Sequence, residues 1–148
     1  MKITVLAGGL SPERDVSLVS GSLIARALTE RGHKALLVDV YEGIDIKNTE
    51  LDALFENADI PEYRITGAVP DLDAVRERNG GREALIGEGV LEVCAAADVV
   101  FIALHGAMGE NGHVLPVLPL LLAQDFCVIV LKLRMRKWKA YENKYNYI

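Results

Sequence analysis

"ITVLAGGLSPERDVSLVSGSLIARALTERGHKALLVDVY", residues 3–41, carries the pattern that decides the fold. Residues 3–6, "ITVL", join β-branched content to a glycine stop and predict a buried strand. From Val16 the apolar positions run Val16, Val19, Leu23, Ile24, Ala27 and Leu28, one face of a helix. Two starts fit that helix, Ser11 followed by Pro12 or Asp15, and Gly32 stops it. "KALLVDVY", residues 34–41, predicts a second strand. A β-α-β unit in this order implies a parallel sheet with a right-handed crossover.

Further along, residues 42 to 90 are polar and turn-rich, punctuated by Pro61, Pro70 and Asn79-Gly80-Gly81. Short strands or a helical turn are expected there. Leu85 to Ala96 reads as a helix whose start Gly87 and Gly89 weaken. "DVVFIAL" (98–104) predicts a buried strand, and "HGAMGENG" (105–112) is a glycine loop leaving its carboxyl end. No repeat or low-complexity segment interrupts this order.

Composition places the chain among globular domains. Its 148 residues are 51% apolar, enough for a core, and make one domain of ordinary size. A net charge of −5 speaks against a nucleic-acid partner. Cys94 and Cys127 lie in apolar runs and suit a reducing compartment, and the expected location is cytoplasmic. The apolar run from Val114 to Leu131 is broken by Pro116, Pro119, Gln124 and Asp125, so no membrane span is expected. Character changes near residue 113. Residues 1–112 hold 10 basic and 19 acidic side chains, net −9, and all 13 glycines; residues 113–148 hold 6 and 2, net +4. We divide the chain into a domain over 1–114 and a divergent basic, aromatic tail over 115–148, which is expected to be the least ordered part.

Two glycine loops can carry chemistry, because ligands of open parallel sheets sit outside the strands' carboxyl ends. The first follows neither GxGxxG nor the P-loop, which needs Gly-Lys-Ser/Thr before its helix. It has Glu13 and Asp15 where a phosphate would sit. One acid can complement the helix dipole, leaving the other to accept from a cation such as a ligand ammonium. The plain alternative is that both acids decorate the first turn. In the second loop His105 stands at the strand end, either as a site residue or as the group that holds the turn. Glu110 and Asn111 could contact ligand, and Asn111 equally suits a helix cap. His33 reads as structural, His113 has no assignment, and Cys94 reads as core. No Cys/His spacing suggests a metal site.

Taken together, "VLAGGLSPERDVSLVSG" and "VVFIALHGAMGENG" resemble the N-terminal region of D-alanine–D-alanine ligases. Those enzymes carry GG-x-S-x-E-[HR]-[ED]-V-S-x-x-SG and, later, ALHG-x-x-GE-[DN]-G. Here Gly8, Gly9, Ser11, Glu13, Arg14, Asp15, Val16, Ser17, Ser20 and Gly21 match the first, and Ala103–Gly106 with Gly109–Gly112 match the second. The resemblance covers residues 1 to about 114, with Asn111 where Asp is commoner. It implies a three-layer, Rossmann-like pre-ATP-grasp domain with a mainly parallel sheet. Through it, Glu13 is expected to hold the ammonium of a first D-alanine and His105 to orient that substrate. Val16, Ser17 and Gly106 are expected to bind substrate or support the loops.

The family chemistry so implied is ATP-dependent: one D-alanine carboxylate is phosphorylated and the amine of a second attacks the acyl phosphate, toward peptidoglycan. The family's "PYTG-x-G" and "MDK" segments and its ATP-grasp lobes do not follow residue 112 in this sequence. Instead "VLPVLPLLLAQDF" puts Pro119 where a helix interior would be expected. ATP and Mg²⁺ are thus expected for a full-length enzyme and not as tight ligands of this chain, which reads as truncated or frameshifted and inactive alone. D-alanine and a second copy of the chain are the expected partners. A non-catalytic small-ligand domain and a dimerising remnant are the alternatives.

Overall fold

Alternation along three strands builds the two faces of one sheet. In a computed structural model, which describes residues 1–65, 67–105 and 127–130, the first strand is β1 (Lys2–Ala7). It gives Ile3, Val5 and Ala7 to one apolar cluster and Leu6 to the other. Next, α1 (Arg14–Glu30) packs Leu18 and Ala25 on the first cluster. The second strand, β2 (Lys34–Asp39), divides Ala35 and Leu37 from Leu36 and Val38. Two short helices follow, α2 (Leu51–Glu56) and α3 (Leu72–Arg78), then α4 (Val90–Ala96). β3 (Val99–Ile102) divides Val99 and Phe101 from Val100 and Ile102.

Phe55 of α2 and Val90, Val93 and Cys94 of α4 fill the second cluster, so helices cover both faces of the sheet. This is the three-layer α/β arrangement expected. Val5, Leu6 and Val100 are almost wholly buried, and each such side chain stabilises the fold by about 1.5–3 kcal/mol. Burial also pushes the Cys94 thiol up to about 12, so it stays protonated as a core group. Among the described residues no helix is long and apolar enough to cross a membrane.

Several boundaries depart from the sequence expectation. Helix α1 has Glu13 at its N-cap position, with no side-chain capping bond, so neither Ser11 nor Asp15 caps it. Its end is as expected. Gly32 N–H donates to the Thr29 carbonyl and His33 N–H to that of Leu28, a Schellman closure. Strand β2 stops at Asp39, because Asp39 Oδ1 accepts the N–H groups of Tyr41 at 2.9 Å and Glu42 at 3.1 Å and turns the chain. Between 42 and 90 the described residues form helices and no strand; Asp71 caps α3 by accepting from Ala74 N–H at 3.0 Å.

The fourth helix begins at Val90, not Leu85, since residues 87–89 cross the chain after β2. Gly87 N–H donates to the Val40 carbonyl at 2.8 Å and Ile44 N–H to that of Glu88 at 2.9 Å. A Cβ on Gly87 would lie 2.5 Å from Gly43 N, so the backbones meet where a side chain has no room. Finally, β4 (Cys127–Val130) pairs in parallel with β3 through its backbone, within the segment read from the sequence as a divergent tail. The β-branched run Val128, Ile129, Val130 carries a strand signal that the change in composition outweighed.

Candidate functional site

All four strands are parallel in the order β2-β1-β3-β4, so the chain leaves β1 first to one side and later takes the other. The carboxyl ends of β1 and β3 therefore bound a topological switch point, where open α/β sheets hold ligands. Residues 8–13 leave β1 there, and residues 103–105 leave β3 beside them.

Ser17, buried in the first turn of α1, ties the two exits together. Its hydroxyl accepts from Gly8 N–H at 2.9 Å and donates to the Ala103 carbonyl at 2.7 Å. The Ser11 hydroxyl reaches the His105 carbonyl at 3.4 Å, a longer contact. These bonds cross from one loop to the other. They account for hydroxyls at both positions better than helix capping does.

The anion inside the first glycine turn comes from β2. Asp39 Oδ1 accepts from Gly9 N–H at 3.2 Å, and a Cβ on Gly8 would lie 2.5 Å from Asp39 Cγ. With Gly8 at φ 70°, the turn wraps a carboxylate of its own chain. Its two amides are occupied by Ser17 and Asp39, which is why the loop resembles a phosphate cradle without being one. The expectation that Glu13 or Asp15 supplies that anion is corrected: the acid is Asp39, thirty residues beyond Gly9.

Arg14 completes this cluster. Its guanidinium lies 2.8 Å from Asp39 Oδ2 and 2.8 Å from Glu42 Oε1, and donates to the Gly9 carbonyl at 3.1 Å. The Arg14 and Asp39 side chains are 8% and 10% exposed, so this pair sits in the interior. Asp39 Oδ2 has no directed hydrogen bond, and its contact with Arg14 is electrostatic. Glu42 is shared with Arg78 at 3.1 Å.

Glu13 points elsewhere. It is exposed at the head of α1, and among the described residues its carboxylate has no hydrogen-bond or ion-pair partner. Val16, three residues on and so on the same helical face, is also exposed. His105 is half-buried at the end of the second exit. Thus Glu13, Val16, Ser17 and His105 gather at one sheet edge, whereas Gly106, Glu110, Asn111 and His113 lie outside the described residues. Sequence reading missed the Arg14–Asp39–Glu42 cluster. Its available signal was an acid at the end of the second strand of a β-α-β unit.

A separate cleft of about 320 Å³ lies beyond Glu42, with Asp45, Lys47, Arg82 and Glu88 in its wall. Glu88 is paired with Lys47 at 3.0 Å and Arg82 stacks on the Tyr41 ring at 4.6 Å. It contains neither Glu13 nor His105.

Fold and site define a three-layer α/β domain whose β1 and β3 exits are tied together at the switch point. A family model described as the D-ala D-ala ligase N-terminus matches residues 2–123, and the chain belongs to that family. It is 42% identical over 116 residues to a D-alanine–D-alanine ligase of Lacticaseibacillus casei, covering 77% of this chain and 32% of that protein. To the ligase of Pediococcus pentosaceus it is 43% identical over 123 residues, 81% of this chain and 35% of the relative. The Geobacter sulfurreducens ligase is 33% identical over 120 residues, covering 81% and 24%. The chain thus spans about a third of the length of the first two relatives.

Proposed function

We propose that this domain is the first-substrate half of an ATP-dependent D-alanine–D-alanine ligase of the ATP-grasp class, acting in peptidoglycan precursor synthesis. One observation carries the reading: an exposed Glu13 carboxylate, without a hydrogen-bond or ion-pair partner among the described residues, stands at the switch point that the exit from β3 to His105 also enters. Glu13 receives the ammonium of the first D-alanine, His105 orients that substrate, and Val16 offers it apolar surface. Ser17 holds the two loops in register, with Gly106 in the second. A site of this kind works by orientation and by charges set before the substrate arrives.

In the full-length enzyme, ATP phosphorylates the carboxylate of one D-alanine, and the amine of the second attacks the acyl phosphate. Among the described residues no group of three or more His, Cys, Asp or Glu could hold a metal ion. We infer that the 148 residues alone form no D-alanyl-D-alanine, and that the full-length enzyme pairs with a second copy. Incubating the purified chain with D-alanine, ATP and Mg²⁺ is expected to yield no dipeptide above the protein-free blank; any enzyme-dependent product overturns this.

The site reading is tested in a full-length ligase that carries this domain. Glu13→Gln keeps shape and removes charge, weakening a charge-assisted hydrogen bond by about 1–3 kcal/mol. KM for the first D-alanine should rise while KM for ATP holds. His105→Ala should lower kcat more than it lowers Tm. Unchanged kinetics beside a clear loss of Tm would remove both residues from the site.

A further inference from the structure

The run Pro12-Glu13-Arg14-Asp15 sets a cation directly beside the carboxylate that the site uses. Left in the crevice, the Arg14 guanidinium would compete with a ligand ammonium for Glu13 and would repel that ammonium even without touching Glu13. The fold prevents this. Arg14 is turned inward, where Asp39 Oδ2 and Glu42 Oε1 each lie 2.8 Å from it and the Gly9 carbonyl accepts from it at 3.1 Å. Two carboxylates face one guanidinium, and Asp39 is itself immobilised by the N–H groups of Gly9, Tyr41 and Glu42.

We propose that Asp39 and Glu42 are positioning residues that sequester the Arg14 charge inside the domain and thereby leave Glu13 free to take an ammonium group. The inference rests on the reading of Glu13 as the ammonium acceptor. It adds what keeps that acceptor available. Asp39 also acts in a second way, because the same carboxylate fills the glycine turn and so excludes an external anion from its amides.

The test uses a full-length ligase bearing this domain, with four variants. Asp39→Asn keeps an acceptor for the amides and removes the counter-charge; KM for the first D-alanine should rise about tenfold, the loss of one charge-assisted contact, with KM for ATP unchanged. Adding Arg14→Gln to Asp39→Asn removes the released cation and should return that KM to within about threefold of the parent. Glu42→Gln leaves the glycine turn intact and should shift KM in the same direction by a smaller factor, which keeps the test alive if Asp39→Asn does not fold. Glu13→Gln separates the two readings. If Glu13→Gln is without effect on that KM, the ammonium reading falls and the sequestration falls with it. If Glu13→Gln weakens the first D-alanine but Asp39→Asn and Glu42→Gln do not, or the double variant fails to recover, sequestration alone is overturned. A purely structural role for the cluster would lower Tm and leave the ratio of the two KM values where it was.

Discussion

Gly8→Ala is expected to destabilise the domain by about 2–6 kcal/mol, from about 1–3 kcal/mol for a side chain at positive φ and about 1–3 kcal/mol for overpacking. The backbone stands at φ 70° at this residue. The new methyl group would occupy the space of the Asp39 carboxylate, 2.5 Å from its Cγ. A carboxylate at the end of a free side chain would step aside. This one is held by Gly9, Tyr41 and Glu42 N–H groups and faces Arg14, so moving it breaks several contacts together. Gly32→Ala provides the comparison. Its φ is 82°, yet no atom lies within 4 Å of the added Cβ, so backbone strain alone remains. Urea unfolding of the two variants should rank Gly8→Ala well below Gly32→Ala. Equal midpoints would mean that the glycine turn does not grip Asp39.

Asp39→Ala is expected to cost about 3–5 kcal/mol, the range for removing one partner of a buried ion pair. The loss has two sources. Arg14 is left 8% exposed with Glu42 as its remaining carboxylate partner, and Glu42 is 38% exposed and shared with Arg78. In addition, the N–H groups of Gly9, Tyr41 and Glu42 lose the oxygen that accepts from all three. Asp52→Ala is the control. Its pair with Lys2, at 2.9 Å, is 74% exposed on the aspartate side, and surface pairs contribute about 0–1 kcal/mol. Denaturant titration of both variants checks the contrast, and an Asp39→Ala loss no larger than that of Asp52→Ala would refute an interior cluster.

The site owes its position to the sheet. Glu13 and His105 are ninety-two residues apart in the chain, and parallel pairing of β1 with β3 brings their loops to one edge. The Ser17 bridge, from Gly8 to Ala103, then makes the geometry of the first loop depend on the second. A substitution in either exit is therefore expected to be felt in the other.

The local pattern by itself determined the strands of residues 2–39 and 99–102, the long helix between the first two, and its closure at Gly32. Hydrophobic periodicity and a helix-ending glycine are short-range signals, and burial on each face of the sheet reinforced them. The gathering of Glu13, Val16, Ser17 and His105 was legible too, because two motif-bearing loops follow parallel strands. What tertiary structure decided lies where distant segments compete with local preference. Residues 87–89 gave up a helical turn to cross the chain after β2, and residues 127–130 joined the sheet against the change in composition around them. Above all, the partner of Arg14 was not its neighbour Glu13 but Asp39 and Glu42, on another strand's end. A guanidinium has no preferred acid along a sequence; it takes the carboxylate that the fold buries beside it.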